Sequence, residues 1–182
     1  MSFRFIPDDN IKDVLHVVPA VHRDHRGYFK EIFSSTEFDS IINQIHLTCF
    51  SKTEKSGSVR GLHFQEPPYE QGKLVCCISG SIFDVALDIR EKSETFGKWT
   101  STTLSSSGHK MLWIPPGFAH GFQTIEDDTE VLYFVTEKYI PESGRVINPL
   151  DDKVGVEWPL GITEISQKDK NGEEFESYLS TE

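Results

Sequence analysis

The sequence predicts an all-β protein whose short strands close into a sandwich or a barrel. Two observations carry this. Short stretches rich in β-branched and aromatic residues recur from about Val14 to Tyr139, separated by turns of Ser, Gly, Asp or Pro, the spacing of antiparallel sandwiches and barrels. Helical periodicity is rare beside them. Ser35-Thr-Glu-Phe-Asp-Ser-Ile-Ile-Asn43 reads as a short helix, with Ser35 or Thr36 as its cap and an acidic first turn. Lys73-Leu-Val-Cys-Cys-Ile-Ser-Gly80 is an apolar strand stopped by glycine. Along Ser81–Arg90, Val85, Leu87 and Ile89 line one face and Asp84, Ala86 and Asp88 the other, while Ile82 and Phe83 break the alternation. Ser79-Gly80-Ser81 joins these two strands as a hairpin. Further strands are expected at Lys98–Leu104, Lys110–Ile114, His120–Ile125 and Glu130–Thr136. The tail from Ser166 is polar and acidic, with Phe175 and Tyr178 as anchors. No internal repeat or linker interrupts the chain, so residues 1–182 read as one domain.

Composition narrows the function. The chain has 182 residues, 37% hydrophobic and 26% charged, a globular balance. No apolar run approaches the ~20 residues of a membrane helix. Arg4, Asp8, Asp9, Lys12 and Asp13 crowd the first residues, so no signal-peptide core is expected there. Three cysteines without a secretory signal imply reduced thiols and a cytoplasmic protein. Cys76 and Cys77 point to opposite faces of a strand and cannot easily share a metal, so both read as small buried hydrophobes. A formal charge of −11 argues against nucleic-acid partners. A local basic cluster could still hold an anionic small molecule, and Arg23, Arg26, Arg60 and Lys73 are suggestive positions.

The densest chemical patch is Ser58-Val-Arg-Gly-Leu-His-Phe-Gln65, followed by Gln71-Gly-Lys-Leu-Val75. His63 and Gln65 share strand parity, while Arg60 lies opposite unless Gly61 bulges. A second patch is Ile114-Pro-Pro-Gly-Phe-Ala-His-Gly-Phe122, and a third places Tyr133 among hydrophobic neighbours in Glu130-Val-Leu-Tyr-Phe134. Singly, each residue has a plainer explanation. His63 could be an ordinary strand histidine, Lys73 a solvated strand end, Tyr133 a core aromatic, and Arg26 a turn partner of Asp24. Metal binding is a further possibility, because the Pro-Gly-x-x-His of Pro116–His120 occurs in metal-binding cupins. Those barrels also use a His-x-His pair, and here Gln65 stands where the second histidine belongs. Glu70 lies too far along to replace it, so no metal is expected.

Together these patches resemble the dTDP-4-dehydrorhamnose 3,5-epimerase family, a branch of the cupins. The resemblance runs from about His22 to Asp169 through Asp24-His-Arg-Gly-Tyr-Phe-Lys-Glu31, Arg60–Gln65, Gln71–Val75, Asp84–Arg90, Ser93–Trp99, Ile114–Phe122 and Gly155–Pro159. It implies a cupin-like jelly-roll barrel with a few short helices. It also implies a metal-free, cofactor-free epimerase acting at C3, C5 or both of a nucleotide-diphospho-4-keto-6-deoxyhexose, with a dTDP-linked sugar first among candidates. By this pattern His63 is the general base, Tyr133 the opposing acid, Lys73 the group beside the sugar carbonyl and Asp169 the carboxylate that pairs with the histidine. Arg26, Phe29, Glu31, Arg60, Gln65 and His120 match substrate-binding positions. Thr48 and Phe50 occupy substrate-binding positions with residues that depart from the family's Gln-x-Asn-x-Ser. Gly144 stands where glutamate is common and Pro149 where tryptophan is. A homodimer is implied as well, and the edge strands of a small barrel favour one. The alternatives are a metal-dependent cupin isomerase or oxygenase and a non-catalytic nucleotide-sugar binding protein.

Overall fold

The computed structural model describes residues 2–176; Tyr178, expected to anchor the tail, lies outside them. The chain runs through β1 (Phe3–Pro7), β2 (Leu15–Pro19), β3 (Val21–Asp24), β4 (Gly27–Lys30), β5 (Leu47–Thr53), β6 (Val59–Gln65) and β7 (Lys73–Ser79). It continues with β8 (Ser81–Asp88), β9 (Trp99–Ser105), β10 (Met111–Ile114), β11 (Phe118–Thr124), β12 (Thr129–Val135), β13 (Gly144–Val146) and a short helix, α1 (Gln167–Lys170). One sheet has the order β1-β2-β10-β7-β12-β5, a second β13-β6-β11-β8-β9, and β3 pairs with β4 as a separate hairpin. The expected strands are present within a residue or two of their predicted ends, and β1 adds one before Val14.

The two large sheets face each other as a jelly-roll barrel, and strand alternation decides what each side holds. Val75 and Cys77 of β7, Leu112 and Ile114 of β10 and Val131 of β12 meet Ile82, Ala86, Leu104, Phe118 and Phe122 from the second sheet. The next residues along, Leu74, Cys76, Met111 and Trp113, belong to an outer cluster with Phe38 and Ile42. Cys76 and Cys77 therefore face opposite ways, both buried. On the far side of the second sheet, Leu62, Phe64, Val85 and Leu87 are covered by Ile147, Val154 and Phe175.

The helix expected over Ser35–Asn43 is not formed; the segment is a series of turns. One helix-like bond runs from the Phe38 N–H to the Ser34 carbonyl at 3.0 Å and another from the Ile42 N–H to the Phe38 carbonyl at 2.7 Å. The interaction that competes with a helix here is polar rather than apolar. Phe38, Ile41, Ile42 and Ile45 pack onto the first sheet at the i, i+3, i+4, i+7 spacing of a single helical stripe. The Glu37 carboxylate accepts the backbone N–H groups of Ser2 and Phe3 at 2.8–3.2 Å. Ser34, not Ser35 or Thr36, accepts the Glu37 N–H.

One irregularity positions the site. His120 pairs with His63 and Phe122 with Arg60, so three residues of β6 span two of β11. His120 and Phe122 share a face, and the bulge therefore turns Arg60 to the same side as His63. Gly61 makes this possible: its φ is +129°, and a Cβ there would collide with the backbone of Gly121. Gly61→Ala is expected to cost about 2 kcal/mol or more in urea unfolding. Gly161→Ala, whose Cβ would meet nothing within 4 Å, should stay within about 0.5 kcal/mol. Equal midpoints for the two variants would contradict the assigned constraint.

Candidate active site

At one end of the barrel the inward positions are polar. They include Ser51 and Thr53 on β5, Arg60 and His63 on β6, Lys73 on β7, Asp84 on β8, His120 on β11 and Tyr133 on β12. Registers bring them together across the chain. His63 pairs with His120, and Tyr133 lies between Cys49 of β5 and Val75 of β7. A cavity of about 980 Å³ opens here, lined among others by Arg60, His63, Lys73, Tyr139 and Asp169.

His63 Nε2 lies 2.6 Å from Asp169 Oδ1. α1 presents that carboxylate because Ser166 caps the helix, its hydroxyl accepting the Asp169 N–H at 3.0 Å. Burial works to raise the Asp169 pKa, but the His63 hydrogen bond and charge, with bonds from Gly61 and Ser166, hold it below the ordinary value. The His63 side chain stays 43% exposed while Asp169 is 6% exposed, so the imidazole is the more open of the two to the cavity that both line.

Lys73 Nζ donates to the His63 carbonyl at 3.1 Å. Burial pushes its ammonium down to about 8, with Asp84 and Cys49 acting in the opposite direction. His120 Nε2 bonds to Asp84 Oδ1 at 2.7 Å. Burial lowers the His120 pKa despite that carboxylate, which favours the neutral ring. Tyr133 shares a 2.9 Å hydrogen bond with Ser51 and meets the His120 ring edge-on at 6.2 Å. Burial raises its phenol well above the ordinary range, so the hydroxyl keeps its proton at neutral pH.

Cations gather at this cavity although the whole chain carries −11. Arg60, Lys73, Lys168 and Lys170 line it, as does Arg145, which is paired with Glu66 at 2.7 Å. Among the described residues no group of three or more His, Cys, Asp and Glu side chains is disposed to hold a metal ion.

The remaining expected site residues are placed differently. Gln65 lines the cavity, but its amide donates to the Tyr69 and Lys138 carbonyls and accepts the Ile140 N–H. It thereby pins the segment that carries Tyr139. Thr48 and Phe50 pair with Phe134 and Leu132 and so share the outer face of β5, away from Tyr133. Arg26 is ion-paired with Asp24 at 2.6 Å, and Phe29 is 66% exposed on the β3–β4 hairpin. Those two border a separate depression, and Glu31 just beyond them is exposed too; none of the three lines the cavity. Ser51 and Asp84 were not expected in the site. Asp84 had a signal, a carboxylate on the face of its strand that also carries Ala86 and Asp88.

The molecule is thus a jelly-roll barrel of the cupin type, polar at one mouth and apolar below. The family model described as dTDP-4-dehydrorhamnose 3,5-epimerase matches residues 8–177. The dTDP-4-dehydrorhamnose 3,5-epimerase of Shigella flexneri is 43% identical over 168 residues, covering 91% of this chain and 92% of the relative. The dTDP-6-deoxy-D-glucose-3,5-epimerase of Legionella pneumophila, solved in complex with dTDP-4-keto-L-rhamnose, superposes with a TM-score of 0.88 at 36% identity. That match covers 93% of this chain and 91% of the other. A 3'-monoepimerase from Streptomyces bikiniensis, solved with dTDP-quinovose, gives a TM-score of 0.88 at 27% identity over 96% of this chain and 89% of its own. The chain belongs to the dTDP-4-dehydrorhamnose 3,5-epimerase family, a family of isomerases.

The lowered Asp169 pKa has a consequence for stability. Its contribution is fully present above the unfolded value of 3.8 and is lost as pH falls through the lower folded value. Asp169→Asn is therefore expected to unfold at lower urea than the parent at pH 7, with the gap closing on acidification below 3.8. A gap independent of pH would contradict the pairing.

Proposed function

We propose that this chain inverts C3, C5 or both in a nucleotide-diphospho-4-keto-6-deoxyhexose, dTDP-linked, by removing a proton beside the ketone and returning one to the opposite face. The observation that carries this reading is the placing of base and cation together: His63 rests on Asp169 at 2.6 Å while Lys73 Nζ bonds to the carbonyl of the same histidine.

A C4 ketone acidifies the C–H bonds at C3 and C5, because the electron pair left behind delocalises onto oxygen as an enolate. An imidazole, with an ordinary pKa of about 6.5, suits the removal of such a proton. With Nε2–H donated to Asp169, Nδ1 of His63 is the accepting atom, and the carboxylate stabilises the imidazolium that forms. Lys73 supplies positive charge for the developing oxyanion, the term that usually weighs most. Tyr133, protonated at neutral pH, delivers a proton from the other side. The enolate carbon takes that proton and the C4 carbonyl is restored, so nothing is oxidised or reduced. The basic lining of the cavity suits a diphosphate.

The Legionella relative's bound dTDP-4-keto-L-rhamnose supports the substrate class, and the Streptomyces monoepimerase in the same fold keeps C3 and C5 separate questions. We also propose a homodimer. Tyr28 and Phe29 are 50% and 66% exposed on the β3–β4 hairpin, and a second copy would cover them. Three free cysteines fit a reducing cytoplasm.

His63→Ala is expected to lower deuterium exchange at the substrate carbons by about 10²–10⁴-fold while the barrel stays folded. A rate within about threefold of the parent would remove His63 from the role. Activity should also survive prolonged treatment with a strong chelator; loss restored by one divalent ion would overturn the metal-free scheme. Tyr133→Phe should separate exchange from inversion, because proton removal does not need the phenol and delivery does. In D₂O the variant should wash out substrate protons with retained configuration and form little epimer. An unchanged ratio of epimer to incorporated deuterium would hand the acid role to another group, such as Tyr139 at the cavity.

A further inference from the structure

Asp84 is a buried carboxylate that the scheme above leaves unused. It projects inward from β8, is 0% exposed and stands in register with Phe122 and Thr102. One oxygen, Oδ1, bonds to His120 at 2.7 Å. The other, Oδ2, is buried and accepts no hydrogen bond among the described residues. A carboxylate oxygen removed from water with no donor is costly unless positive charge is near. Across the barrel the opposite problem arises. Lys73 is buried on β7, and its hydrogen bond runs to a neutral group, the His63 carbonyl. A carbonyl dipole satisfies one of three ammonium donors and balances none of its charge.

The inward groups that act on this pair are few. β5 offers Cys49, β6 Arg60 and His63, β8 Asp84, β11 His120 and β12 Tyr133. Arg60, a cation bonded to Thr53 and to the Lys52 carbonyl, adds no negative charge. Tyr133 holds its proton and burial favours neutral His120, so neither balances Lys73. His63 has its own carboxylate in Asp169. Asp84 remains.

We propose that Asp84 is a positioning residue with two tasks: one carboxylate oxygen fixes the His120 ring, and the unpartnered one supplies the negative charge that keeps buried Lys73 an ammonium. The enolate oxygen then meets a cation that the barrel has already balanced, so no proton must be recruited to Lys73 during turnover. The same Oδ1 bond takes Nε2–H of His120 and leaves that ring's Nδ1 as its free polar atom. The role in catalysis rests on the epimerase reading; the charge state of Lys73 does not.

The test therefore has two arms. In the first, protein labelled with ¹³C at lysine Cε is titrated by NMR, with the Lys73 resonance assigned through Lys73→Arg. The wild-type midpoint is expected at about 8. In Asp84→Asn, and in the smaller Asp84→Ser, it should fall by about one to three pH units, the usual effect of losing a close opposite charge. In the second, kcat/KM for a dTDP-4-keto-6-deoxyhexose is followed against pH. Removing the charge that favours the ammonium lets Lys73 deprotonate sooner, so the alkaline limb should move to lower pH in the variants. A uniform loss of rate with the limb unmoved is what a purely structural role predicts, and it would overturn the proposal. So would an unshifted Lys73 midpoint, or a wild-type midpoint below neutrality, which needs no variant to fold. If wild type shows no turnover, the epimerase reading fails while the NMR arm still decides the role of Asp84.

Discussion

The 2.6 Å hydrogen bond between His63 and Asp169 joins β6 to α1 across 106 residues of chain. The same carboxylate accepts the Gly61 N–H through its second oxygen at 3.3 Å, so the imidazole, the bulge that aims Arg60 and the helix form one unit. Gly61 admits the close approach to Gly121, and Ser166 orients the carboxylate by capping its helix. Loss of any one of these loosens the others, because both carboxylate oxygens are committed to the same strand. An active-site geometry held at three points does not depend on the stiffness of one loop.

The barrel separates two environments along one axis. Below the polar mouth, the inward residues are apolar and pack to the density of a core. At the mouth, groups that would be costly alone are matched with partners: His63 with Asp169, His120 with Asp84, Tyr133 with Ser51. Apolar walls strengthen each electrostatic interaction at the mouth. They also explain why a strongly acidic chain can present a basic cavity: the carboxylates that dominate its net charge are spread over the surface, whereas Arg60, Lys168 and Lys170 converge on one opening.

Much of this was legible in the sequence because strand alternation is a local property. Val85, Leu87 and Ile89 on one face and Ala86 on the other follow from spacing alone, and so does the division of Cys76 from Cys77. The bulge could be stated only as a condition, since glycine permits it and the packing of Gly121 realises it. Ser35–Asn43 has helix-forming residues and still forms turns, with the Glu37 carboxylate drawn to the backbone N–H groups of Ser2 and Phe3. Thr48 and Phe50 match site positions by resemblance, yet β5 turns them outward in this chain. Ser51 and Asp84 are not singled out by the sequence, because a serine on an edge strand and one of two aspartates on a strand become informative only against the opposite wall of the barrel.

The proposed function stands or falls on the removal of protons from carbons beside a ketone. Wild-type protein incubated in D₂O with dTDP-, CDP- and GDP-linked 4-keto-6-deoxyhexoses, followed by NMR at C3 and C5, tests it most directly. Deuterium at C3, C5 or both, with inversion at the same carbon, is expected for the dTDP-linked sugar. Binding of that sugar without any incorporation of deuterium would contradict it.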